Sequence, residues 1–316
     1  MFMDILKGAA LGVANIIPGV SGGTMALMLG IYERLISLLS GLSPKDIIQG
    51  ARSKAGFIKL WREREMSFLL CLAFGGGVAI IALSKVMKYF LTEAHDPTYG
   101  FFFGLVFASI VVPWRLIRRK SAATILALVL GATSVVGVSF SVSPETRIEA
   151  AEKKLLIKQT QGLSEQAVTR SDYISFFIAG AIAISAMILP GLSGSFILLL
   201  MGVYFRLLEA ISQLQISLLA VFAIGCGIGM LLFTKVLNWL LDKYHDVTMA
   251  YLTGLVVGSL YAVWPFKDFQ MVGDSRINKA NIIPEMLVWN TGLTFVSALV
   301  GIGIVYVFLR FEKTST

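Results

Sequence analysis

Residues 8–35, GAALGVANIIPGVSGGTMALMLGIYERL, align without a gap on residues 180–207, GAIAISAMILPGLSGSFILLLMGVYFRL. The shared positions include Gly8/Gly180, Pro18/Pro190, Gly19/Gly191, Ser21/Ser193, Gly22/Gly194, Gly30/Gly202, Tyr32/Tyr204 and Arg34/Arg206. A second block follows in the same order, with Gly75/Gly225, Gly77/Gly227, Lys85/Lys235, His95-Asp96/His245-Asp246, Thr98/Thr248, Gly104/Gly254 and Trp114/Trp264. Self-similarity of this kind means that the chain is two copies of one unit. Apolar composition can produce chance likeness among Leu, Ile and Ala, but it does not reproduce Pro, Arg, His-Asp and Trp at matched positions. The only two histidines are repeat mates. The offset between mates falls from 172 to 150 because the first copy carries a basic insert near 44–66.

The repeated unit belongs in a bilayer. Hydrophobic residues make up 56% of the chain and charged residues 15%, against about 25% charged in soluble domains. Mean hydropathy is +0.80. The stretches 67–91, 98–114, 122–141, 215–241, 248–264 and 286–310 read as spans, which need about 20 apolar residues each. Lys85, Lys88 and Lys235 lie near span ends, where they can snorkel. The net charge of +8 falls mostly in short loops that set membrane orientation, which argues against nucleic acid as a partner. Cys71 and Cys226 lie inside apolar segments and read as packing residues, so neither a disulfide nor a metal site is expected, and no cofactor. The N-terminus has no A-x-A cleavage site and reads as part of the mature chain.

Segment 4–39 is too long for one span and short for two, and Pro18-Gly19 leaves a first leg of only about 14 residues, or about 21 Å. A re-entrant hairpin fits, and 173–211 is divided in the same way at Pro190-Gly191. The expected fold class is therefore an all-α polytopic integral membrane protein. It has two repeats, 1–142 and 172–316, joined by a polar linker at 143–171, and each repeat holds one broken-helix hairpin plus three transmembrane helices. An odd number of crossings inverts the second repeat relative to the first. With both termini cytoplasmic, fourteen basic residues face the cytoplasm, among them Lys7, the insert, Arg115, Arg118, Arg119 and Lys120. Eight face outward: Arg147, Lys153, Lys154, Lys158, Arg170, Lys267, Arg276 and Lys279. Hairpins that cross fully would instead give four spans per half and a parallel repeat.

Non-helical backbone at membrane depth is tolerated only where protein, water or a ligand satisfies it. The runs Ser21-Gly22-Gly23-Thr24 and Ser193-Gly194-Ser195, each after a Pro-Gly break, offer hydroxyls, close backbone approach and a helix N-terminus with free N–H groups. That combination suits an anion, and paired broken helices point to a transporter's midplane site. The competing reading is that Pro-Gly only turns the chain while small residues pack. Arg34 and Arg206 follow thirteen residues after the mate serines in apolar sequence, where a guanidinium suits a phosphate. They could equally be interfacial anchors paired with Glu33 and Glu209. His95-Asp96 and His245-Asp246, together with Glu33, are candidates for proton coupling. The plainer alternative is that each Asp caps the helix that follows.

The run Lys7-Gly8, Asn15-Ile16-Ile17-Pro18-Gly19-Val20-Ser21-Gly22-Gly23-Thr24 and Gly30-Ile31-Tyr32, with its degenerate copy at 189–206, resembles the PopT family of polyprenyl-phosphate transporters. The resemblance covers essentially the whole chain. It implies a multi-pass protein of the bacterial or archaeal plasma membrane that returns undecaprenyl phosphate, the lipid carrier of cell-wall synthesis, from the outer to the cytoplasmic leaflet. The residues by themselves reach only an anion-binding transporter, and a carrier of small soluble anions uses the same groups. An undecaprenyl-diphosphate phosphatase is a further alternative, because its Pro-Gly-x-Ser-Arg-Ser motif is similar. This chain has Gly22 and Gly194 where that motif has Arg, and neither turn holds a nucleophile or general base, so binding without covalent chemistry is expected.

Overall fold

The computed structural model describes residues 1–16, 20–43, 52–159, 169–273, 275–284 and 289–314. The Pro18-Gly19 break, residues 44–51 of the basic insert and residues 160–168 of the linker lie outside the described residues. The chain is an all-α polytopic membrane protein whose described helices are α1 (Phe2–Ile16), α2 (Gly22–Met28), α3 (Tyr32–Ser40), α4 (Lys54–Glu63), α5 (Met66–Glu93), α6 (His95–Ser109), α7 (Val111–Leu116), α8 (Ala122–Phe140), α9 (Pro144–Gln159), α10 (Arg170–Ile188), α11 (Gly194–Leu200), α12 (Tyr204–Ser212), α13 (Ile216–Lys243), α14 (His245–Ala262) and α15 (Trp289–Thr314). Among the described residues six helices are long and apolar enough to cross a membrane, or up to eight if each of two bent pairs is one span. Their outer faces are apolar, with Ile81 80% and Leu299 66% exposed. Such surfaces suit lipid rather than water.

Repeat mates occupy matching surroundings. α1 packs along α5, and its mate α10 packs along α13. Small residues permit this closeness: a Cβ at Gly8 would strike the backbone of Leu72, and one at Gly180 would strike the backbone of Phe222. The later spans exchange partners between the copies. α6 lies against α15, and α14 lies against α8. The copies are therefore interleaved, and no cut through the middle of the sequence separates two independent packing units. The largest apolar core runs through α2 and α14, where Ala26, Leu27, Met249, Leu252 and Leu255 are at most 3% exposed.

Two features depart from the sequence expectation. The leg after each Pro-Gly is not one helix but two, bent by 117° between α2 and α3 and by 111° between α11 and α12. Gly30 and Gly202 adopt φ of 65° and 71°. Ile31 N–H donates to Ala26 O at 3.0 Å and Val203 N–H to Leu198 O at 3.0 Å, the bonding pattern of a helix stopped by a left-handed glycine. The second departure is a β-hairpin, β1 (Lys267–Val272) with β2 (Ser275–Asn281), in the connection between α14 and α15 of a chain expected to be all-α. It leans on α9, the linker helix.

Candidate functional site

The two turns meet. α2 opens with Ser21 in extended conformation (φ −116°, ψ 151°), and the Ser21 hydroxyl accepts the N–H of Thr24 at 3.3 Å. Gly191 N–H, on the second turn, donates to Ser21 Oγ at 2.9 Å and to Thr24 Oγ1 at 3.1 Å. The Ser21 hydroxyl donates to Leu189 O at 3.4 Å, and Tyr32 OH to Ile188 O at 3.2 Å. Gly23 lies so close to this strand of chain that a Cβ would come within 2.6 Å of Ile188 O. Gly22 N–H is held by Asn15 Oδ1 at 3.2 Å. The first turn's hydroxyls are thus buried and occupied, and they satisfy backbone that the second Pro-Gly break sets free.

The second turn uses its hydroxyls differently. Ser193 and Ser195 are exposed, their hydroxyls are 2.9 Å apart, and Ser193 does not cap α11. Gly194 packs against Met187, the mate of Asn15. The copies have therefore diverged. One turn is a structural clamp, and the other presents an open pair of hydroxyls.

Arg34 is exposed and bound to Glu65, with its guanidinium 4.0 Å over the Phe68 ring. Arg206 lies 3.5 Å from Asp172 and 3.6 Å from Glu209. Each guanidinium already has a carboxylate partner. Glu33 faces His245, with Nε2 to Oε1 at 3.3 Å. Asp246 accepts the backbone N–H groups of Arg118 and Arg119 at 2.8 and 3.1 Å. His95 is 4% exposed, stacks on Tyr99 at 4.3 Å and meets Asp96 through Nδ1 at 2.8 Å. Asp96 also accepts from Arg276 at 3.3 Å and Asn290 at 3.4 Å. Neither Asp caps its own helix by a side-chain bond. Each instead holds chain from the other copy just before or at the start of that copy's last span.

Sequence reasoning gave no site role to Asn15 and Tyr32, which it quoted only within the repeat and the family run, or to Arg147, Lys267 and Arg276. Asn15 was legible as a lone amide in an apolar leg. The three cations were counted for topology but not placed together. Lys267 donates to Ala262 O at 2.7 Å, and burial together with the nearby Arg147 charge brings its ammonium down to about 8. Among the described residues no group of three or more His, Cys, Asp or Glu could hold a metal ion.

A family profile described as undecaprenyl phosphate translocase-like matches residues 11–281. A Vibrio cholerae protein named polyprenyl-phosphate transporter is 38% identical over 264 residues, covering 83% of this chain and 77% of that protein. A Staphylococcus aureus protein with the same name is 32% identical over 270 residues, covering 84% of this chain and 86% of that one. No solved structure matches the chain significantly.

Proposed function

Because the chain belongs to the undecaprenyl phosphate translocase-like family, we propose that it is a polyprenyl-phosphate transporter that carries undecaprenyl phosphate from the outer to the cytoplasmic leaflet without covalent chemistry. The observation that carries this reading is the junction of the two turns, where Ser21 and Thr24 clamp Gly191 and leave Ser193 and Ser195 open. A phosphate monoester brings acceptor oxygens, which the two exposed hydroxyls of Ser193 and Ser195, beside the small residue Gly194, can meet. The isoprenoid tail has an apolar outer surface to follow into lipid. Neither turn supplies a His, Asp or Glu to activate water, so hydrolysis of a diphosphate lacks its general base.

Transport needs the headgroup site to open alternately to each face. The repeats are inverted, and because their spans are exchanged, the bodies that rock about the clamp each carry helices of both copies, with both termini on the cytoplasmic side. Ser21, Gly22, Gly23 and Thr24 are the frame of the site, and Ser193, Gly194 and Ser195 its phosphate ligands. Arg34 and Arg206 supply counter-charge when the rocking motion separates them from Glu65, Asp172 and Glu209. His95, Asp96, Glu33, His245 and Asp246 form two corners whose protonation couples to that motion.

The test is transport of labelled short-chain polyprenyl phosphate by the purified protein in liposomes. Time-dependent movement between leaflets, inhibited by excess unlabelled lipid and not by inorganic anions, is the expected result. Movement of phosphate or sulfate in place of the lipid would make it a small-anion carrier, and release of phosphate from the diphosphate lipid would make it an enzyme.

A further inference from the structure

Positive charge that the turns do not use collects where α9 meets the β-hairpin. Arg276 on β2 reaches Asp96 at 3.3 Å and Lys267 O at 3.4 Å, and it lies 3.7 Å over the Phe269 ring. Lys267 on β1 sits within the field of Arg147 from α9. Arg147 donates to Ser139 O at 2.8 Å and stands 5.9 Å over the ring of Phe196, the residue that follows Ser195. Asp96 pairs with Arg276 and also engages His95 and Asn290, whereas Arg147 and Lys267 donate to the backbone carbonyls of Ser139 and Ala262. Asp268, beside Lys267 in sequence, lies on the exposed side and accepts the N–H of Phe269.

The cluster also has donors to spare. Among the described residues no acceptor reaches the buried Nε of Arg147 or Arg276. Buried charge without full pairing is unfavourable, and structures keep it where function requires it. Arg147, Lys267 and Arg276 each retain part of their surface open to approach. A phosphate monoester matches this deficit, since it brings three acceptor oxygens and close to two negative charges. Two guanidinium forks and an ammonium suit it better than they suit a single carboxylate.

We propose that Arg147, Lys267 and Arg276 form a capture site for a phosphate monoester headgroup, from which the headgroup passes beside Phe196 to Ser193 and Ser195. The site rests on the polyprenyl-phosphate reading and adds a first binding station to it. It also gives the linker helix and the hairpin a role, since each adds cations to Arg34 and Arg206 of the broken helices.

The test is ligand protection of Lys267 in the full-length purified protein. An amine-reactive acylating reagent is applied at pH 8 and the Lys267 peptide is followed by mass spectrometry, with exposed Lys120 as internal control. Saturating short-chain polyprenyl phosphate is expected to slow acylation of Lys267 about tenfold and to leave Lys120 unchanged, while the uncharged polyprenol slows acylation of neither lysine. R147Q is expected to weaken retention of the labelled lipid about tenfold, the effect of losing one charge-assisted contact. Retained lipid with Lys267 acylation unchanged overturns the capture site alone. Failure of the wild-type protein to retain the lipid overturns the transporter reading and the capture site with it. Equal protection by inorganic phosphate at the same concentration overturns the lipid assignment and makes this a site for the free anion.

Discussion

Ser21 and Ser193 are the same residue in two copies, and their surroundings give them different work. Ser21 is buried and bonded to Gly191 N–H, whereas Ser193 is exposed and bonded to Ser195. Loss of the Ser21 and Thr24 hydroxyls together leaves the Gly191 backbone donor unsatisfied, which costs about 1–3 kcal/mol. Thr24→Val combined with Ser21→Ala should therefore lower the melting temperature measured in detergent. Ser193→Ala combined with Ser195→Ala should leave it unchanged and slow lipid transport about tenfold, as expected for hydroxyls that contact a charged ligand. Equal stability loss in both pairs would remove the distinction between clamp and ligand. Lys267 gives a second test at this scale. Its folded value of about 8 lies below the ordinary lysine value of 10.5, so between those pH values the unfolded chain binds more protons. Stability should then rise with pH through that window, and K267Q should remove the rise in a thermal unfolding series. The serines were legible because the repeat marks them. Their divergence was not, since it depends on which turn reaches into the other, and one-dimensional likeness makes mates appear equivalent.

The bend at Gly202 is a property of an element rather than of a side chain. A Cβ there would meet open space, so substitution acts only through the backbone. At φ of 71° an L-residue costs about 1–2 kcal/mol, and a helix that continued past this point would abolish the 111° turn. Gly202→Ala should lower thermal stability by that amount, and Gly202→Asn, which tolerates the left-handed region better, should recover part of it. The long spans were readable because about 20 apolar residues have few alternatives in a bilayer. The second break was less readable, because Gly30-Ile31-Tyr32 and Gly202-Val203-Tyr204 carry no proline and glycine is common in membrane helices. The hairpin escaped for another reason. In Lys267–Asn281 the outward residues include Phe269 and Met271, both exposed, so no clean alternation of apolar and polar residues marks the strands.

Interleaving of the copies decides how the whole molecule can move. α6 is packed on α15 and α14 on α8, so one copy cannot tilt without carrying a span of the other. The two His-Asp corners lie at the ends of these exchanged pairs. Asp96 holds Asn290 at the start of α15, and Asp246 holds the backbone of Arg118 and Arg119 just before α8. Matched corners of this kind suit a device in which one releases as the other closes. A short bifunctional maleimide linking Asp96→Cys to Asn290→Cys, in a protein without Cys71 and Cys226, should stop the transport that the same double variant retains before crosslinking. Transport at the uncrosslinked rate would show that this corner does not open. The proton reading adds a separate expectation. Histidine is the side chain suited to carrying a proton near neutral pH, and each ring here touches a carboxylate, Asp96 for His95 and Glu33 for His245. Replacing both histidines with Gln should flatten the pH dependence of transport without abolishing lipid binding. An unchanged profile would leave the corners as purely mechanical contacts and move any coupling proton elsewhere in the molecule.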